Sequence, residues 1–264
     1  ECDDILNIEP ENSDAIELFA DIYEKEKNYN KAIEYLKKLL KITGDSYKIY
    51  FQIAILQSTL ENLDEAILNY KKSIELNPSF ALAHITLANV YYIKKDFNSA
   101  ETECNEALKY EPLNFNAMEL LIDIYYQSKK SNEAITLIDK YLFFNKNNAE
   151  MLYKKGVILD ETGDTDTAIK VIENAINLNK NIESGYIYLS LLYQKKGDIQ
   201  KAISTLKEAI QIIPNEEKFH YNLAHLYNED EKIDNAIKEF EEVLKINPDS
   251  AVALNYIAYA YAEN

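Results

Sequence analysis

The sequence predicts an all-α solenoid built from a repeated helix pair, and three observations carry that prediction. Seven alanines, Ala32, Ala66, Ala100, Ala134, Ala168, Ala202 and Ala236, stand 34 residues apart without a slip. A fixed period of this length marks stacked repeats rather than a globular enzyme. The prolines keep the same clock: Pro10, Pro78, Pro112, Pro214 and Pro248 share one phase of the repeat. Within one period the apolar residues fall into two stripes with helical spacing. The core of such a chain is a continuous seam, because each unit contacts mainly its neighbours.

The stretch 13–46 shows how one unit is built. Ile16, Phe19, Ala20 and Tyr23 mark one face of a first helix. A polar stretch, Glu24 to Asn28, makes the turn. Ala32, Ile33, Leu36, Leu39 and Leu40 mark a second helix, and Gly44 closes the unit. Two amphipathic helices on a short turn make an antiparallel hairpin. Seven complete units follow in register, over 13–46, 47–80, 81–114, 115–148, 149–182, 183–216 and 217–250. Half-repeats are expected at the flanks, over 1–12 and 251–264. The chain begins at Glu1 in mid-pattern, as a piece of a longer protein would.

These units resemble the tetratricopeptide repeat. Its pattern of small, aromatic and terminal residues is met by Ala88, Tyr91, Ala100, Cys104, Ala107 and Pro112 in one unit. It is met again by Ala224, Tyr227, Ala236, Phe240, Val243 and Pro248. The small residues let paired helices approach closely, and proline stops the second helix. The resemblance covers the whole chain and implies a right-handed superhelix whose first helices line a concave groove. Departures concentrate in 115–182. Lys146 and Lys180 replace proline, Ile122 replaces the small residue, and Lys155 stands where other units carry a large apolar residue. The stem of Lys155 is expected to pack with its amine reaching water. A looser joint is expected around Asn145–Asn148. Phe143 and Phe144 are adjacent, so only one can face the core; Phe144 holds the usual apolar phase.

Composition narrows the function. Net charge is −17, and all 28 basic residues are lysine. That argues against nucleic-acid binding, which needs a clustered cationic surface, usually with arginine. The acidity serves solubility; concentrated at the ends, it would also steer basic partners. No apolar run is long enough to insert in a membrane. Cys2 and Cys104 share a phase three units apart, so a disulfide is not expected. A reducing, cytoplasmic setting fits that usage.

No catalytic, cofactor or metal site is expected. His84 and His220 share one phase and read as packed structural residues, while His220 and His225 are badly spaced for two ligands on one face. The five glycines are scattered, and Gly163 and Gly197 fall in the turns between helices. The candidate site is instead a second stripe on the first helices, which in tetratricopeptide relatives contacts ligands. It carries two apolar clusters: Phe51, Ile55, Leu82, Ile85 and Tyr92, then Tyr153, Val157, Ile187, Leu191 and Tyr221. Glu119, Asp123 and Tyr126 follow the first cluster, and the two acids would meet a basic residue of a partner. Part of the stripe is expected to be buried between neighbouring first helices. The lysine and arginine set of the chaperone-tail carboxylate clamp and the asparagine ladder of the O-linked N-acetylglucosamine transferases are both missing.

The resulting expectation is a non-enzymatic scaffold that binds a protein segment with apolar anchors and basic residues. Two other readings stay open: the substrate-recognition arm of a larger enzyme such as a glycosyltransferase, or a module that self-associates through its terminal half-repeats.

Overall fold

The computed structural model describes residue 9 and residues 11–263. The expected half-repeat over 1–12, with Cys2 and Pro10, lies almost wholly outside them. The described residues hold fifteen α-helices and no strand. They form two compact units, one ending at Lys130 and the other beginning at Ser131.

The first unit contains α1 (Ser13–Lys25), α2 (Tyr29–Thr43), α3 (Tyr47–Thr59), α4 (Leu63–Leu76), α5 (Ala81–Ile93), α6 (Phe97–Tyr110) and α7 (Phe115–Gln127). The second contains α8 (Ser131–Phe144), α9 (Ala149–Glu161), α10 (Thr165–Leu178), α11 (Glu183–Lys195), α12 (Ile199–Ile212), α13 (Glu217–Glu229), α14 (Ile233–Ile246) and α15 (Ala251–Glu263). Within each unit a first helix packs against the second helix that follows it: α1 on α2, α3 on α4, α5 on α6, α9 on α10, α11 on α12 and α13 on α14.

The turn inside each pair is a recurrent backbone device. Lys27, Glu61, Lys95, Lys129, Gly163, Gly197 and Glu231 all have positive φ and recur with the repeat. At Lys27 the amide of the next residue, Asn28, reaches back to the Tyr23 carbonyl at 2.8 Å, and the Lys27 amide reaches Glu24 at 2.9 Å. Those two bonds satisfy carbonyls that the helix end would otherwise leave open. The following residue often caps the next helix, as Asp96 does by accepting from the Ser99 amide at 3.2 Å. Sequence reading found only the two glycines of this series, because a lysine or glutamate in the left-handed region leaves no compositional mark.

The cores are the expected seams. In the first unit Ala20, Ala32, Leu36, Ile53 and Leu56 are buried together. In the second, Ala168, Ile172, Tyr186, Leu189, Leu206 and Phe219 belong to one cluster. Gly156 marks a very close approach there: a Cβ on it would lie 2.4 Å from Ile172 Cγ1.

The departures resolve individually. Ile122 is buried. Lys155 packs its stem and directs its amine to Asp139 at 2.5 Å. Near Lys146, Asn145 and Asn148 both donate to the Tyr141 hydroxyl, at 3.3 and 3.1 Å. Phe144 corrects the expectation made for it. It is 51% exposed, beside Phe143 at 70%, and the two rings meet edge to face at 4.9 Å. The reason is its place in the last turn of a second helix. The same phase is exposed in Ile42, Leu76, Tyr110, Leu178, Ile212 and Ile246, so it was never a core phase.

Candidate functional site

The stripe on the first helices is divided by packing. On α3, Phe51 is half-buried, with its ring 4.9 Å from Phe80 and 5.8 Å from Tyr70. Ile85 leans on the Ala81, Ala107 and Ala117 cluster, and Tyr92 lies 5.7 Å from Phe97. Ile55 and Leu82 remain 36% and 50% exposed. Ile55 also lines an open depression with Asp21, Glu24 and Gln52, where Gln52 donates to Glu24 at 2.8 Å. Glu119, Asp123 and Tyr126 are half-buried on α7.

The second unit repeats the division. Tyr153 and Ile187 pack on its main core, and Val157 is half-buried. Tyr221 belongs to the cluster around Phe240 and Val243. Leu191 is 50% exposed. The sequence therefore grouped ten apolar residues of which Ile55, Leu82 and Leu191 are the open ones; the others serve partly to hold helices together.

The same stripe carries Asp160, to which sequence reading gave no role. It accepts from Thr165 at 2.6 Å, Lys195 at 2.7 Å and Tyr188 at 3.3 Å. Burial pushes its pKa up, but Lys195, Thr165 and Tyr188 outweigh that and hold it below the usual carboxylate range. It joins α9 to α11 across the stripe, as Gln194 joins α11 to Glu229 of α13 at 2.5 Å. Its signal was weak in sequence, since one aspartate among many acids gives no hint of three donors.

The remaining polar residues have structural surroundings. His84 is buried, with Nδ1 2.7 Å from Glu103 Oε2 and Nε2 3.0 Å from the Pro78 carbonyl. His220 repeats the arrangement with Glu239 at 2.7 Å and the Pro214 carbonyl at 3.3 Å. The Cys104 thiol is buried, and burial with the nearby Glu103 and Glu101 pushes it up to about 12. That thiol is therefore no nucleophile at neutral pH. Among the described residues no group of three or more metal-ligating side chains comes together, and no helix is long and apolar enough to cross a membrane.

Stacked antiparallel helix pairs with a small-residue seam and a partly open first-helix face define a helical-repeat interaction module. The chain belongs to the tetratricopeptide repeat family. Its models, described as tetratricopeptide repeat or TPR repeat, match residues 13–46, 59–95 and 193–254, and a model described as TT21 fifth ARM repeats domain matches 81–181. Hsp70-Hsp90 organizing protein 3 of Arabidopsis thaliana is 27% identical over 90 residues, which is 34% of this chain and 16% of that protein. Protein O-mannosyl-transferase TMTC1 of Homo sapiens is 27% identical over 99 residues, 36% of this chain and 11% of that one. The chain thus spans under a fifth of either relative. Among solved structures, the C-terminal part of a TPR repeat-containing protein from Cytophaga hutchinsonii superposes with a TM-score of 0.74 at 17% identity. That match covers 90% of this chain and 98% of the other.

Proposed function

We propose that the chain is a non-enzymatic scaffold that binds an extended or helical protein segment on its first-helix faces. The observation that carries this reading is the exposure of Ile55, Leu82 and Leu191, the first of them beside Asp21, Glu24, Lys25 and Lys27. Exposed apolar residues rimmed by charge mark contact surfaces. The acids of α1, Asp14, Glu17, Asp21 and Glu24, favour basic residues in the segment bound by the first unit. The name of the plant relative, an organizing protein for two others, points the same way.

The test is affinity capture from native lysate with the wild type, Leu82→Glu and Leu191→Glu. Exposed positions are chosen because Tyr153 and Ile187 also support the core. A partner retained by the wild type and lost with either variant supports the reading. A partner held equally by all three moves the site off these faces.

A second reading is favoured by the transferase relative: the repeats would be the recognition arm of a larger enzyme. Transferase activity co-purifying with the full-length protein tests it. Exposed Val252, Leu254 and Tyr261 on α15 favour a third, self-association, which light scattering across a concentration series reads directly.

A further inference from the structure

Two accessible surface features depart from the repeat. The first is a corner at the end of α8. Phe143 is 70% exposed and Phe144 51%, with their rings edge to face at 4.9 Å. The phase of Phe143 is filled by Lys41, Glu75, Lys109, Asn177, Gln211 and Lys245 in the other units, so helix pairing does not require a phenylalanine there. Lys140 lies one turn earlier on α8, and Lys146 follows two residues after Phe144. Both lysines are exposed, and neither pairs with a carboxylate among the described residues. The adjacent Asp139 is taken by Lys155. The corner therefore joins two open rings to two open cations, on a chain whose net charge is −17.

The second is the open depression between α1 and α3, of about 590 Å³, to which Tyr29, Ile55 and Leu56 give apolar walls. A cavity of about 150 Å³ holds one benzene ring, so this space has room for two phenyl rings. Asp21 and Glu24 line it and continue the row begun by Asp14 and Glu17. No other first helix carries acids at all four positions of this stripe. Asp14, Glu17 and Asp21 are exposed and pair with no lysine among the described residues, and Glu24 accepts from the neutral Gln52. Lys25 and Lys27 line the depression as well, two cations against four acids.

We propose that the chain associates head to tail, with the Phe143–Phe144 corner of one copy seated in the α1–α3 depression of a second copy. The two surfaces match in both respects: open rings meet open apolar walls, and unpaired lysines meet unpaired acids. That double match, on two features the repeat itself does not require, is what selects a second copy as the occupant. The contact is heterologous, because each pair leaves one corner and one depression unused. The proposal rests on the self-association reading above and gives it surfaces away from α15.

Sedimentation velocity over a concentration series tests it. The corner variant is Phe143→Ser with Phe144→Ser; the depression variant is Asp21→Lys with Ile55→Ser. These side chains are at least 36% exposed, so both variants should fold, which circular dichroism checks. If Ile55→Ser lowers the helix content, Asp21→Lys alone serves. The wild type is expected to grow in mass with concentration, and each variant to need at least tenfold more protein for the same growth. An equimolar mixture of the two variants is expected to form a one-to-one complex and stop there, since one intact corner and one intact depression remain between them. A wild type that stays monomeric overturns both the proposal and the self-association reading. Growth kept in either variant, or a mixture that stays monomeric, overturns the proposal alone. Growth lost in Tyr261→Glu but kept in the corner variant would assign association to α15 instead.

Discussion

The seam inside a helix pair and the turn that joins its two helices recur with the same period, yet they constrain sequence in opposite ways. At the seam, Gly156 faces Ile172 so closely that an added Cβ would overlap it at 2.4 Å. The equivalent positions in the first unit, Ala20, Ala54 and Ala88, are small and buried, while Ile122 in the same phase is a buried exception. At the turn, lysine, glutamate and glycine all adopt the same left-handed backbone, and at Gly163 and Gly197 an added Cβ would meet nothing within 4 Å. Volume decides the seam, and only the local backbone decides the turn. The seam is therefore written into composition, while the turn is nearly invisible there.

The largest effect is expected at the seam. Gly156→Leu should cost about 3 kcal/mol or more, since overpacking a filled core forces side chains and backbone to move. Ile172→Ala, alone destabilising, should recover part of that loss in the double variant. Urea denaturation of the four proteins measures the coupling. Additive losses would mean that Gly156 is set by something other than Ile172.

The His84 crevice should give a smaller, pH-dependent effect. Both ring nitrogens face oxygen acceptors, an arrangement satisfied in full only by the imidazolium. Burial pulls the His84 pKa down, but the bond to Glu103, the Pro78 carbonyl and the charge of Glu106 outweigh it, so the pKa is raised. A raised pKa in the folded state stabilises fully below the unfolded value of about 6.5 and loses that contribution as pH rises through the folded one. The melting-temperature advantage of the wild type over His84→Gln should therefore be larger at pH 5.5 than at pH 8.5. A constant difference would show that folding does not shift the His84 pKa, and an advantage that shrinks at pH 5.5 would show that the folded state keeps it neutral.

At the turn the expected change is slight and of opposite sign. Lys95→Gly should stabilise by about 1 kcal/mol, the order of the left-handed penalty for a residue with a Cβ. Gly163→Lys should lose a similar amount. If Lys95→Gly destabilises instead, the lysine side chain contributes to the turn beyond its backbone angle.

These contrasts account for what the sequence disclosed. Helix pairing, the alanine seam and the buried histidines were legible because each depends on size or periodicity, whereas the close approach at Gly156 was not. The candidate face was legible only as a stripe. Periodicity places Phe51 and Ile55 on the same side of α3, but only tertiary packing puts Phe80 against one and leaves the other open. Asp160 needed three donors, Thr165 on α10 and Tyr188 and Lys195 on α11, to stand out from the other acids. Phe144 was misplaced because an apolar residue recurring with the repeat was taken for core, whereas that phase is exposed throughout.

The joint around Asn145–Asn148 tests the comparison where neither volume nor a left-handed residue dominates. In the equivalent segment that contains Pro214, the ring fixes φ and removes an amide. Lys146 does neither, and Tyr141 substitutes by accepting from Asn145 and Asn148. A side-chain bond restrains a loop less than a ring does, because it opens without moving the backbone. Amides of 145–148 should therefore exchange faster than those of 213 and 215–216 in native-state hydrogen exchange. Tyr141→Phe, which removes the shared acceptor and leaves the ring, should widen the gap. Equal protection in the wild type would mean that the lysine costs the joint nothing; a gap that Tyr141→Phe leaves unchanged would mean that the hydroxyl does not hold it.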